Sequence, residues 1–75
     1  MSNRKLVQLH GRDFLIYTNS SDERANALFV NTLYLLPIGT EVVIQQSDGS
    51  RRDAVVIESI ENSSMDHNGM WLEFI

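Results

Sequence analysis

Short β-branched and aromatic runs alternate with polar breaks along this chain, and the spacing predicts strands. Leu6-Val7-Gln8-Leu9 reads as the first. His10-Gly11-Arg12-Asp13 follows as a turn, because glycine supplies the positive φ that tight turns need. Phe14-Leu15-Ile16-Tyr17-Thr18 has the composition of a second strand. The polar turn formers Asn19-Ser20-Ser21-Asp22 are expected to end it.

From Asp22 to Leu36 the pattern supports two elements. Ser20 followed three residues later by Glu23 fits a capping box. Ala25, Leu28, Phe29, Leu33 and Leu36 recur at helical spacing, with Pro37 as a stop. Taken locally, that favours a helix over about 21–36. Yet Ala27-Leu28-Phe29-Val30-Asn31-Thr32 reads equally as a buried strand, since apolar runs of this length are ambiguous by period alone.

The second half is more definite. Glu41-Val42-Val43-Ile44-Gln45-Gln46 reads as a strand, and Asp48-Gly49 is a strong hairpin signal. Residues 51–60 return as its partner. Ala54, Val56 and Ile60 are expected on one face, with Val55, Ile57 and Ser59 on the other. Both faces are apolar in the middle, which argues for a central strand. Glu61 to Gly69 is a polar loop, and Met70-Trp71-Leu72-Glu73-Phe74-Ile75 forms a last strand with its apolar end built into the sheet. The fold class is thus mostly β, with an α+β arrangement (ββαβββ, helix at about 21–36) as the alternative.

Seventy-five residues make one domain with a small core. With no cysteines, neither disulfides nor cysteine-ligated zinc can staple it, so packing must suffice, with self-association as an aid. Ten acids against six bases give a net charge of −4. Arg4-Lys5, Arg12, Arg24 and Arg51-Arg52 are interspersed with acids, so nucleic-acid binding is disfavoured. No apolar run reaches the ~18 residues that span a bilayer, which argues against membrane insertion. The start lacks the apolar core of a signal peptide, so a cytoplasmic protein is the default expectation.

Candidate chemistry is sparse. His10 and His67 read as solvent-facing turn histidines without the spacing of a metal site. The serines cluster in turns, and the four glycines at 11, 39, 49 and 69 form no phosphate loop. A chain this short leaves little volume for a pocket. The expectation is a non-catalytic binding domain needing no cofactor. Met70, Trp71 and Phe74 read as core. Leu33-Tyr34-Leu35-Leu36-Pro37-Ile38 is a long apolar run for so small a chain. It reads either as a buried inter-element crossing or, in part, as an exposed patch meeting a protein partner. Leu33, Tyr34 and Leu35 are the candidates, and a symmetric homodimer is a reasonable use of such a patch.

From Ala27 onward the chain resembles a PilZ domain, the bacterial six-stranded barrel that binds cyclic di-GMP. The resemblance is carried by Ala27-Leu28-Phe29-Val30-Asn31-Thr32, Leu36-Pro37-Ile38-Gly39-Thr40-Glu41-Val42, Asp48-Gly49, Ala54-Val55-Val56 and Gly69-Met70-Trp71-Leu72-Glu73-Phe74, across about 49 of the 75 residues. It implies a six-stranded barrel, and it makes Arg4, Asn19, Ser21 and Asp22 the counterparts of the ligand motifs. Those motifs are broken. No arginine stands four residues after Arg4. Asn19-Ser20-Ser21 matches an Asn-x-Ser, but Arg24 occupies the glycine position; counted back from Phe29 instead, only Asp22 fits. Charged hydrogen bonds contribute ~1.5–3 kcal/mol each, so cyclic di-GMP binding is expected to be weak or absent. The implied role is an adaptor in bacterial signalling that works through protein contacts. The alternative is an unrelated accessory protein of a phage or mobile element that binds or inhibits a protein partner.

Overall fold

The structure, a computed structural model, describes residues 5–61 and 68–75. Six strands make up its regular structure: β1 (Lys5–His10), β2 (Leu15–Arg24), β3 (Ala27–Asn31), β4 (Glu41–Gln46), β5 (Arg51–Ile60) and β6 (Gly69–Phe74). All neighbours are antiparallel, in the order β1-β2-β3-β6-β5-β4, and β4 pairs back onto β1 from Val7↔Gln46 to His10↔Val43. The sheet is therefore a closed barrel. Closure leaves no row of unpaired backbone groups along an edge strand.

Alternation fills the interior. Val7 and Leu9 of β1, Ile16 of β2, Leu28 and Val30 of β3, Val42 and Ile44 of β4, Ala54 and Val56 of β5, and Met70, Leu72 and Phe74 of β6 form one buried cluster. Cross-strand partners share a face, so Leu9 meets both Ile16 and Ile44, and Leu72 meets Leu28 and Val56. Phe14, Leu35 and Leu36 pack on this cluster from the end where β1 finishes. At the other end the Arg52 guanidinium stacks 3.8 Å from the Phe74 ring centroid.

The helix over 21–36 does not form. Residues 21–24 continue β2, a turn occupies 25–26, and 27–31 are β3. The helical spacing arose because β3 is buried on both faces. Leu28 and Val30 point into the barrel, while Ala27 and Phe29 pack outside it with Trp71 and Ile60. Phe29 and Trp71 are direct partners, with ring centroids 5.3 Å apart. Arg24 lies over the Trp71 ring at 3.9 Å.

Asn19-Ser20-Ser21-Asp22 does not end β2 either. The register passes from Ser20↔Val30 to Asp22↔Phe29, so Ser21 is the extra residue of a β-bulge. The bulge absorbs the polar stretch without breaking the ladder. A second bulge at Ile57 shifts β5 from Val56↔Leu72 to Glu58↔Trp71. It reverses the expected facing downstream: Ile60 joins the outer cluster with Trp71, not the interior with Ala54 and Val56. The 47–50 connection follows its sequence signal. Gly49 takes φ +90°, its N–H donates to Gln46 C=O at 2.9 Å, and Gln46 N–H donates to Ser50 C=O at 2.9 Å. The Ser50 hydroxyl and N–H hold the Asp48 carboxyl below its ordinary value.

Candidate protein-interaction surface

The connection from β3 to β4, residues 32–40, crosses the end of the barrel where β1, β3 and β5 finish. It is pinned along its length. Thr32 N–H donates to Asn68 C=O at 3.2 Å, and the Asn68 side-chain amide returns a 2.7 Å bond to Thr32 C=O. Leu36 N–H points at the Met70 sulfur at 3.1 Å, and Ser59 Oγ donates to Leu36 C=O at 3.3 Å. Pro37 C=O accepts from both Thr40 N–H (3.1 Å) and Thr40 Oγ1 (2.6 Å), closing a turn in which Gly39 adopts φ +94°. Gly39 N–H then donates to Val56 C=O at 2.8 Å, and Val56 N–H to Thr40 C=O at 3.0 Å, so the chain enters β4 in register.

That pinning divides the apolar run. Leu35 and Leu36 are half-buried against the core and plug the barrel mouth. Leu33, Tyr34 and Ile38 are 66%, 71% and 70% exposed. Ile57, extruded by the β5 bulge next to Val56, adds a partly exposed apolar group beside Gly39. Of the three residues expected at the patch, Leu33 and Tyr34 face solvent, whereas Leu35 turns inward. Its side chain is part of the barrel's closure. Ile38 lay within the run but was not singled out. The Pro-x-Gly turn around it was the available signal, because such a turn carries its central residue away from the core.

The ligand-motif counterparts are placed differently. Arg4 and His67 lie outside the described residues. Asn19 is half-buried on the outer face of β2, between Leu6 and Asn31. Ser21 is the bulge residue, and Asp22 is exposed opposite Phe29, its carboxylate accepting Glu23 N–H at 2.8 Å. The three follow one another along a single bulged strand. Two open grooves lie on the barrel wall, and neither is lined by Asn19, Ser21 or Asp22. One of about 520 Å³ runs past His10, Arg12, Glu41, Asp53 and Ile75. The other, about 220 Å³, lies beside Leu6, Gln8, Tyr17, Gln45 and Gln46. His10 is the last residue of β1, not a turn residue, and is half-buried with Nε2 3.0 Å from Gln8 Oε1. Among the described residues, no three of His, Cys, Asp and Glu gather closely enough to hold a metal ion. No helix among them is long and apolar enough to cross a membrane.

Compared with known proteins, the chain matches no family model, no curated protein and no solved structure.

Proposed function

We propose that this barrel is a non-catalytic protein-binding module, an adaptor of PilZ-like kind that acts in bacterial signalling through the 32–40 crossing. The observation that carries this reading is the division of one apolar run. Leu35 and Leu36 anchor the crossing while Leu33, Tyr34 and Ile38 stand in solvent. Folding the barrel needs the anchoring pair and gains little from the other three. Exposed aromatic and aliphatic side chains on a backbone already held in place bind with little further ordering cost. Cyclic di-GMP is at most a weak ligand in this reading. The supporting fact is the broken motifs: no arginine stands four residues after Arg4, and Arg24 occupies the glycine position.

The test is affinity capture with the wild-type chain and the Leu33→Asp/Tyr34→Asp/Ile38→Asp triple variant, followed by reconstitution with the purified captured protein. The wild type is expected to hold a partner that the folded triple variant loses. A partner held equally by both would overturn the assignment of this surface. A calorimetric titration with cyclic di-GMP is expected to be flat at high micromolar nucleotide; saturable binding below that would replace the adaptor with a receptor.

A further inference from the structure

We propose that the outer wall of β4, β1 and β2 is the interface of a symmetric homodimer. This is a different surface from the crossing and does not depend on what the crossing binds.

The first observation is where the charges are not. Three cross-strand rows make up the wall: Leu15–His10–Val43, Tyr17–Gln8–Gln45 and Asn19–Leu6. None of these eight outward positions is Asp, Glu, Lys or Arg, in a chain that carries ten acids and six bases. The charges sit on the border instead. Arg51 and Asp53 of β5 lie opposite Gln45 and Val43, Glu41 lies beyond Val43, and Asp22 lies past the β2 bulge. A charge-free centre with aromatic and aliphatic groups inside a charged rim is the anatomy of a protein interface. In a two-fold pairing each wall meets itself, so any excess of one sign would repel its own copy. An uncharged wall is what lets two chains of net charge −4 meet.

The second observation is self-complementarity. Tyr17 is 72% exposed and Leu6 69%, and both stand at the lip of the 220 Å³ groove whose other walls are Gln8, Thr18, Gln45 and Gln46. A knob and a hole thus lie side by side on one face. A two-fold axis between them seats each Tyr17 ring in the other copy's groove, which is the geometric requirement of an isologous contact. The polar groups on the wall are already partly paired: Arg51 Nε donates to Gln45 Oε1 at 2.9 Å, and His10 Nε2 lies 3.0 Å from Gln8 Oε1. Burying those two carbonyl oxygens therefore leaves each with a partner. The area such a pairing needs is a modest share of the surface. A standard interface takes ~800 Å² from each partner, about one-sixth of the 5031 Å² the chain exposes, and the wall spans three of the six strands.

Sedimentation equilibrium on the full chain, from roughly 1 µM to 1 mM, tests this directly. The wild type is expected to reach twice its 8.6 kDa within that range. Tyr17→Glu should weaken the dimer at least ~30-fold, as loss of a central aromatic anchor does, and Leu6→Glu should weaken it by a smaller factor. Glu73→Lys, on the outward face of β6, should leave it unchanged. Isotope-filtered NOEs on a mixed-label wild-type sample supply a readout independent of any variant, with intermolecular contacts expected at Leu6, Leu15 and Tyr17. A chain that stays monomeric to 1 mM overturns the proposal, as does one whose wall meets only a foreign protein. So does a dimer whose NOEs map to another face.

Discussion

A Cβ on Gly69 would run into the backbone carbonyl of Val30 and the ring of Phe29. Gly69 opens β6 opposite Asn31, where β3 and β6 approach closely enough that only a hydrogen fits. Gly69→Ala should cost about 2 kcal/mol as the two strands are forced apart, read as a lower urea midpoint at unchanged slope. Leu33 and Leu35 make a second comparison at this scale, two residues apart and identical in chemistry. Leu35→Asp places a charge in the barrel mouth and should destabilise by about 2 kcal/mol. Leu33→Asp should stay within about 0.5 kcal/mol of wild type, because its side chain is already in water. Asp48 adds a pH effect of known sign. Its carboxyl is held below the ordinary 3.8 by the Ser50 hydroxyl and N–H. The hairpin therefore carries that contribution in full above pH 3.8 and loses it as pH falls through the lowered value. An NMR titration of the Asp48 carboxyl should give a midpoint below 3.8 that moves back toward it in Ser50→Ala.

Each strand is shaped by what lies on its two sides, and two of them are covered on both. β3 and β6 separate the barrel interior from the outer cluster of Ala27, Phe29, Trp71 and Ile60. Trp71 is the chain's single tryptophan, so its emission reports on that cluster. Ile60→Asp should red-shift the emission and destabilise the protein by about 2 kcal/mol, although Ile60 lies outside the barrel. Elements with one clean face were legible in the sequence. Val42 and Ile44 alternate with outward Glu41, Val43 and Gln45, and the Asp48-Gly49 turn was marked. β3 was legible as a buried strand only beside an equally good helix, because burial on both faces erases the period of two that would have told them apart. The two bulges were invisible: Ser21 and Ile57 are ordinary residues, and only pairing with β3 and β6 makes them extra. The exposed part of the crossing was half legible. The excess of apolar residues over available core could be counted, but which of them the plug would claim depended on Met70 and Ser59, both far along the chain.

At the scale of the molecule, closure depends on partners distant in sequence. β1 must find β4, and β3 must find β6, before the cylinder exists. Such pairing favours slow, all-or-none folding, so urea unfolding should be a single transition in both Trp71 fluorescence and far-UV circular dichroism. Divergent transitions for the two probes would mean that the outer cluster around Trp71 melts separately from the barrel. The pairing also makes the β4-β1-β2 wall rigid, since its middle strand is hydrogen-bonded on both sides.

The crossing over the barrel mouth has a further consequence for how such a chain can change. Its anchors and its solvent-facing positions alternate within a few residues: 35 and 36 serve the fold, while 33, 34 and 38 do not. Substitution at the second set leaves the first untouched, so lineages or libraries can rewrite the exposed positions and keep the cylinder. The mouth is thus a display platform. Grafted recognition side chains at 33, 34 and 38 would inherit a backbone fixed at both ends.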